Sequence, residues 1–212
     1  EAASVPQSWL RYFREMEDMG RFIGKKDEIR KMFRILCRHR KANVLIAGAH
    51  GVGKTAIASE MAKLLVDENA WDRHDEASWE MGLDSEVEVP KKLHGMRMLE
   101  LDTALLLGGA QYRGDLEMRV KDVLEGVAAE GKTIIYIDEL RSLGGNSRND
   151  DGSKDILSLL IPYLKSGKIK CVVSASHEDI KKVENFSPGA LGLFFKVELD
   201  EPDSEETFEI IK

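Results

Sequence analysis

The sequence predicts an α/β fold with a mostly parallel sheet that helices cover on both faces. Short apolar runs alternate along the chain with segments of helical periodicity. Some of these runs, such as residues 133–138, are apolar almost throughout, which is typical of strands buried on both faces. One run, at residues 43–47, leads into a glycine-rich turn and then into a helical pattern. This order of strand, turn and helix is typical of βαβ proteins.

Five strands and several helices account for most of the chain. The strands are predicted at 43–47, 96–102, 133–138, 168–176 and 194–199. Helical periodicity is present at 25–41, after residue 55, at 115–130 and at 156–164. Residues 1–18 show no strong period, and we predict a linker there that enters a short helix.

Two segments have an unbalanced charge. Residues 25–41 contain eight Lys or Arg and two acids, so the helix has a basic face that is either solvated surface or a docking face for an acidic neighbour. Residues 67–90 contain nine acids and a single arginine, and we predict an acidic surface insertion. Its Trp71 and Trp79 either pin the insertion to the body of the domain or form an exposed partner site.

Length and composition limit the class of protein. The 212 residues (23.8 kDa) suffice for one domain, or for one and a piece of another. The net charge of −7 excludes binding to nucleic acid or to an anionic membrane by bulk charge. Cys37 and Cys171 lack CxxC spacing, so neither a disulfide framework nor a zinc site is predicted, and we expect a cytoplasmic location. Because the chain begins at Glu1, we expect a fragment of a longer protein.

Residues 48–55 (GAHGVGKT) match the phosphate-loop pattern G-x4-G-K-[ST]. The glycines allow backbone N–H groups to surround phosphate oxygens, and the following helix directs its positive end to the same place. We expect Lys54 to contact the β- and γ-phosphates, with a catalytic role, and Thr55 to bind Mg²⁺. His50 is either a neutral loop residue or an extra donor. The predicted ATP-binding residues here are Gly48, His50, Gly51, Val52, Gly53, Lys54, Thr55 and Ala56.

An acid pair follows the apolar run at 134–137. Asp138 and Glu139 come where this strand ends, which is the edge of a parallel sheet at which ligands bind. We expect Asp138 to hold the Mg²⁺ shell and Glu139 to polarise the attacking water for hydrolysis.

With both motifs, the chain resembles AAA+ ATPases, and more narrowly the first nucleotide-binding domain of the Clp unfoldases and disaggregases. The resemblance runs from about Phe22 to Pro202. It rests on FIGKKDEI (22–29), GVGKTAIA (51–58), VPKKLHG (89–95), Leu101-Asp102, YRG (112–114), IDEL (137–140) and Glu201-Pro202. It implies a P-loop NTPase three-layer sandwich with a mostly parallel five-stranded sheet over 19–202, and only the start of a helical lid at 203–212.

The resemblance assigns further roles. Phe22, Ile23 and Gly24 would pack on adenine, which suits apolar side chains and backbone amides. Ser176 falls where the family has a polar sensor of the γ-phosphate. A loop that lines the pore of a ring and grips polypeptide would comprise Gln111, Tyr112, Arg113 and Gly114. The alternative for Tyr112 is that it packs into its own subunit.

The sequence departs from the family pattern where one or two arginines normally reach the γ-phosphate of a neighbouring subunit. Leu193 and Phe194 occupy those positions. Because such arginines accelerate phosphoryl transfer by a factor of roughly a thousand or more, either another group such as Arg141 or Arg148 substitutes, or hydrolysis is slow. The acidic insertion at 67–90 is also longer than is usual in the family.

Three functions follow as hypotheses. The first is a Clp-type motor domain that hydrolyses ATP to remodel or unfold polypeptide, in a parent that forms a homo-oligomeric ring. The second is an ATP-operated switch or assembly module with little hydrolysis. The third is a small-molecule kinase, which the acid pair disfavours because Glu139 would activate water. We expect ATP or ADP and Mg²⁺ as cofactors, a polypeptide or protein partner, a monomeric isolated domain, and neither nucleic acid nor membrane as partner.

Overall fold

The computed structural model describes residues 7–20, 24–68, 71, 87–108, 112–143, 156–187 and 189–201. Within these ranges six strands form one sheet. They are β1 (Phe13–Glu15), β2 (Asn43–Ala47), β3 (Arg97–Leu101), β4 (Thr133–Ile137), β5 (Lys170–Ala175) and β6 (Phe195–Glu198).

The strand order of this sheet is β1-β3-β4-β5-β2-β6. β1 pairs antiparallel with β3, and every other neighbouring pair is parallel. The prediction of a mostly parallel sheet is therefore confirmed, with a sixth strand, β1, added at the edge. Because β5 lies between β4 and β2, the segments that follow these three strands emerge side by side at one edge of the sheet.

The described residues form six α-helices. They are α1 (Lys26–Leu36), α2 (Lys54–Val66), α3 (Thr103–Leu107), α4 (Arg113–Glu130), α5 (Ile156–Ser166) and α6 (His177–Phe186). Helices α3 and α6 are not among the elements predicted from the sequence. Both begin at a capping side chain, since Asp102 accepts from the N–H of Leu105 and Ser176 accepts from the N–H of Asp179.

Two hydrophobic clusters cover the two faces of the sheet. Alternate residues of a strand point to opposite faces. In β2, Leu45 and Ala47 join the cluster that includes α4, α5 and α6, whereas Val44 and Ile46 join the cluster that includes α1 and α2. The result is the expected three-layer sandwich with helices on both sides. None of the helices in the described part of the chain is long and apolar enough to cross a membrane.

The N-terminal segment packs against the domain. Residues Gln7–Tyr12 form a 3-10 helix, and the side chains of Trp9 and Tyr12 are buried. Trp9 lies on α4 at Gly126, where an added Cβ would be 2.2 Å from Trp9 Cδ1. The sequence predicts a linker that enters a short helix here. Strand β1 was not predicted, because three residues are too few to show a period.

Several predicted features fall partly or wholly outside the described residues. These are Phe22, Ile23, Gln111, Arg148, the segment 203–212 and most of the acidic insertion, including Trp79. Trp71 is described, and its ring stacks on His94 with the two centroids 4.7 Å apart. This contact favours the interpretation that Trp71 pins the insertion to the domain.

Candidate functional site

A cleft of about 330 Å³ opens at the sheet edge where β2, β4 and β5 end. Ligands of open parallel sheets bind at this edge. The cleft brings together the phosphate loop, the acid pair and the end of β5, as the sequence predicts. The residues that line it are Met19, His50, Gly51, Gly53, Lys54, Thr55, Ala56, Asp138, Glu139, Ser174, Ala175, Ser176 and Asp179.

The phosphate loop needs glycine for two different reasons. Gly51 and Gly53 have φ angles of 79° and 97°, which residues with a Cβ rarely adopt. Gly48 instead lacks space, because an added Cβ would lie 2.7 Å from the carbonyl oxygen of Leu199. Gly53 is the N-cap of α2, so the free N–H groups of the first turn of this helix face the cleft.

Lys54 and Thr55 begin α2 and both line the cleft. The Lys54 ammonium donates to the carbonyl oxygens of Gly48 at 3.0 Å and Ala49 at 2.6 Å. It therefore lies over the loop, where the phosphates of a nucleotide would meet it. The Thr55 hydroxyl donates to Oδ1 of Asp138 at 3.4 Å, which joins the loop to the acid pair.

Asp138 is held by hydroxyl groups on one of its two carboxylate oxygens. Its Oδ1 accepts hydrogen bonds from Tyr136 at 2.8 Å and from Ser174 at 2.7 Å, in addition to Thr55. Burial, and secondly the charge of Asp138, raise the pKa of Tyr136, so its hydroxyl stays protonated as a donor. Among the described residues, Oδ2 of Asp138 accepts no hydrogen bond. Hydroxyl and carboxylate oxygens are suitable Mg²⁺ ligands, so Thr55 and Asp138 fit the expected metal.

Glu139 has an unusual backbone conformation. Its φ angle is 62°, in the left-handed region that residues with a Cβ disfavour. Its N–H donates to the hydroxyl oxygen of Ser174 at 2.9 Å. Its carboxylate accepts from Arg141, with Nε at 2.8 Å from Oε2. Strained backbone of this kind often occurs at functional sites.

Ser176, the predicted γ-phosphate sensor, lines the cleft, but its hydroxyl group is hydrogen-bonded within the N-terminal cap of α6. Its hydroxyl donates to Oδ2 of Asp179 at 2.7 Å and accepts from the N–H of Asp179 at 3.1 Å. The sensor role therefore stays a prediction that requires this capping pair to open, since a serine hydroxyl has one proton to donate.

The positions that resemble the family's arginines are internal. Leu193 and Phe194 are 7% and 9% exposed and belong to the hydrophobic core. The carbonyl oxygen of Leu193 accepts from the buried amide of Asn43 at 3.1 Å, and the same amide accepts from the N–H of Cys171. The segment before β6 is thus attached to the centre of the sheet.

Tyr112 lies at the N-terminus of α4 and is 74% exposed. The alternative in which it packs into its own subunit is not what the structure shows. Tyr112 does not line the cleft, and its exposed side chain is available for a separate contact.

Three residues of the site, Tyr136, Ser174 and Asp179, were not predicted from the sequence. A signal existed for the first two. Tyr136 is two residues before Asp138, and residues two apart on a strand point to the same face. Ser174 is a polar residue inside an apolar strand, which requires a hydrogen-bond partner. The role of Asp179 as the partner of the Ser176 hydroxyl is recognised only when α6 is known to begin at this point.

Comparison with known proteins agrees with this geometry. Residues 44–196 match the family "ATPase family associated with various cellular activities (AAA)". The chain is 36% identical over 191 residues to the chaperone protein ClpB of Vibrio cholerae, and 34% identical over 213 residues to the mitochondrial chaperone protein ClpB4 of Arabidopsis thaliana. These alignments cover 90% and 97% of this chain but 20% of each relative, so the chain spans about a fifth of their length.

A solved structure has the same fold. The closed state of Hsp104 with ATPγS and FITC casein superposes with a TM-score of 0.77 at 28% identity, over 96% of this chain and 32% of the Hsp104 chain.

Proposed function

The chain belongs to the AAA ATPase family, as a domain of the Clp type, and we propose that it hydrolyses Mg²⁺-ATP in the cleft to drive remodelling or unfolding of polypeptide. One observation carries the proposal. Thr55 and Asp138, which are 83 residues apart, approach to 3.4 Å, and Glu139 lines the same cleft. The family implies nucleotide binding, and this juxtaposition is the one needed for phosphoryl transfer to water.

Each residue has a task in this proposal. The N–H groups of the loop and the Lys54 ammonium bind the phosphates. Thr55 and Asp138 would hold the metal, which when bound would neutralise negative charge on the phosphates. Glu139 orients the attacking water and accepts its proton as the new P–O bond forms and the bond to the leaving ADP oxygen breaks.

The test separates binding from hydrolysis. Calorimetry is expected to detect ATP binding to the wild-type chain and none to Lys54→Ala. Glu139→Gln is expected to bind ATP normally and to stop phosphate release, because an amide accepts no proton from water. Glu125→Gln, on α4 and half-exposed, is the matched control. Equal phosphate release by wild type and Glu139→Gln would show that the hydrolytic role is wrong.

A switch or assembly module with little hydrolysis is the second candidate. The apolar side chains of Leu193 and Phe194 favour it, since neither position offers a cation to a neighbouring subunit, and both residues are buried. Turnover per subunit is then expected to stay negligible at every concentration of the longer parent protein. A turnover that rises steeply with concentration would instead indicate a ring whose subunits complete each other's sites.

The whole-protein properties remain part of the proposal. We propose a ring-forming parent that acts on polypeptide in the cytoplasm. The solved Hsp104 structure with casein supports the contact with polypeptide by similarity. The exposed Tyr112 supports a polypeptide contact outside the cleft.

A further inference from the structure

We propose that Ser174 is a positioning residue that sets both acids of the site through a single hydroxyl group. This inference rests on the proposed ATP hydrolysis. Ser174 donates to Oδ1 of Asp138 at 2.7 Å and accepts from the backbone N–H of Glu139 at 2.9 Å. One side chain therefore touches the metal-binding acid and the water-activating acid at once.

The sheet order creates this arrangement. β5 lies between β4, which leads to the acids, and β2, which leads to the phosphate loop. In the parallel register, Ile137 of β4 pairs with Val173, and Ile46 of β2 pairs with Ser174. Ser174 is thus on the central strand, next to the point where β4 ends and Asp138 begins. The residue is buried at the base of the cleft, and both of its hydrogen bonds are made to groups that line the same cleft.

The bond to Glu139 has a conformational consequence. Glu139 is held at a φ of 62°, which is sterically disfavoured for a residue with a Cβ. The Ser174 oxygen satisfies the Glu139 N–H in that conformation. Without this acceptor, the backbone of Glu139 would have a lower free energy in a more common conformation. Rotation to that conformation would also move the Glu139 carboxylate.

The bond to Asp138 has a separate consequence for the metal. The hydroxyls of Ser174 and Tyr136 both donate to Oδ1, which fixes the plane of the carboxylate. Oδ2 is then left for the metal or its water shell. Partners that orient metal ligands in this way commonly contribute a factor of about ten or more to metal affinity or activity.

The two bonds are separable by mutation. Ser174→Ala removes both, and Tyr136→Phe removes only the second donor to Asp138. Ser174→Thr keeps a hydroxyl at the same position. Thr133→Val is the matched control, because Thr133 is also buried and donates to a carboxylate, that of Glu130, at the opposite end of β4.

The first measurement is the dissociation constant of ATP by calorimetry, in Mg²⁺ and in EDTA. For Ser174→Ala and Tyr136→Phe we expect affinity in EDTA to equal that of wild type, and the gain in affinity on adding Mg²⁺ to fall by about tenfold. The second measurement is phosphate release. We expect kcat to fall further in Ser174→Ala than in Tyr136→Phe, because only Ser174 is hydrogen-bonded to Glu139. Thermal unfolding establishes that each variant is folded.

The inference is overturned if Mg²⁺ increases the ATP affinity of folded Ser174→Ala as much as that of wild type, within a factor of two. It is also overturned if Ser174→Thr, folded as stably as wild type, is as impaired as Ser174→Ala, because side-chain volume rather than the hydroxyl would then matter. Thr133→Val must bind ATP as wild type does in both buffers. If the wild-type chain itself binds no ATP, the proposed function fails, which is a different outcome from either of these.

Discussion

Arg141 donates from Nε to Oε2 of Glu139 at 2.8 Å, so the predicted water-activating carboxylate has a basic partner from its own chain. The hydrogen bond to Glu139, and secondly the charge of Glu139, raise the pKa of Arg141. Both side chains are about half-exposed, so the pair contributes little to stability. Its position matters more. Glu139 lines the cleft, so in the proposed reaction the guanidinium would be attached to the water-activating carboxylate.

Arg141→Ala is expected to lower kcat by about tenfold or more, with a smaller change in the dissociation constant of ATP. The reason is that Arg141 is the cation closest to Glu139 among the described residues, while the family's arginine positions are apolar here. Arg141→Lys should retain part of the rate. Steady-state phosphate release measures the effect, and Arg38→Ala, which removes a cation packed on Phe195 outside the cleft, is the control. Faster hydrolysis by Arg141→Ala would show that the pair restrains Glu139 instead.

Restoring an arginine at Leu193 is expected to destabilise the domain without accelerating hydrolysis. Leu193 is 7% exposed, and an unpaired charge at a buried position costs several kcal/mol, roughly 3 or more here. Leu193→Met keeps the volume and should cost less than about 1.5 kcal/mol. Denaturant unfolding compares the two. If Leu193→Arg is as stable as Leu193→Met, the segment before β6 can expose the side chain at position 193 to solvent.

The ion pair of Asp102 with Arg14 is expected to stabilise the domain at neutral pH and not in acid. Burial alone would raise the pKa of Asp102, but the N–H of Leu105 and the Arg14 guanidinium outweigh burial and lower it from 3.8. A lowered pKa in the folded state means that the stabilisation is present above about pH 4 and is lost as the pH falls further. The difference in melting temperature between wild type and Asp102→Asn should therefore shrink between pH 5 and about pH 2. If the difference in melting temperature stays constant over this range, the loss of stability in Asp102→Asn comes from packing or helix capping and not from the ion pair.

Gly126→Ala is expected to destabilise the domain by about 1–3 kcal/mol, because the new Cβ would overlap the ring of Trp9. Gly114→Ala in the same helix, where an added Cβ meets nothing within 4 Å, should be neutral or stabilising. Denaturant unfolding followed by Trp fluorescence measures both. Equal stability of the two variants would show that Trp9 does not pack on α4 in solution.

Tyr112→Ala is expected to weaken binding of an unfolded polypeptide to the longer parent protein, with ATP binding and stability unchanged. The side chain is 74% exposed, so its removal costs no packing, while an aromatic contact area is lost. Tyr112→Phe should bind normally. Fluorescence anisotropy with a labelled unfolded polypeptide is the measurement, and Met118→Ala, another exposed apolar residue of α4, is the control. Unchanged anisotropy would remove the pore-loop assignment.

Local patterns were sufficient to predict much of the fold. Strands β2 and β4 were predicted within one residue, since each is a contiguous apolar run between polar or glycine residues. Helix α6 was missed although the sequence contains its signals, because Ser176, Glu178 and Asp179 form a helix start and Ile180 and Val183 recur at helical spacing. β1 was missed because three residues are too few to show a period, and only its antiparallel pairing with β3 identifies it as a strand.

The amino-acid sequence by itself determined the phosphate loop and the acid pair, because the chemistry of each is contained in a few consecutive residues. Only the tertiary structure decided how they meet. The order β4-β5-β2 depends on long-range packing, and it places Ser174 between the two motifs. Burial likewise decided that Leu193 and Phe194 are core residues, because exposure depends on the elements that pack around a segment and not on the segment alone.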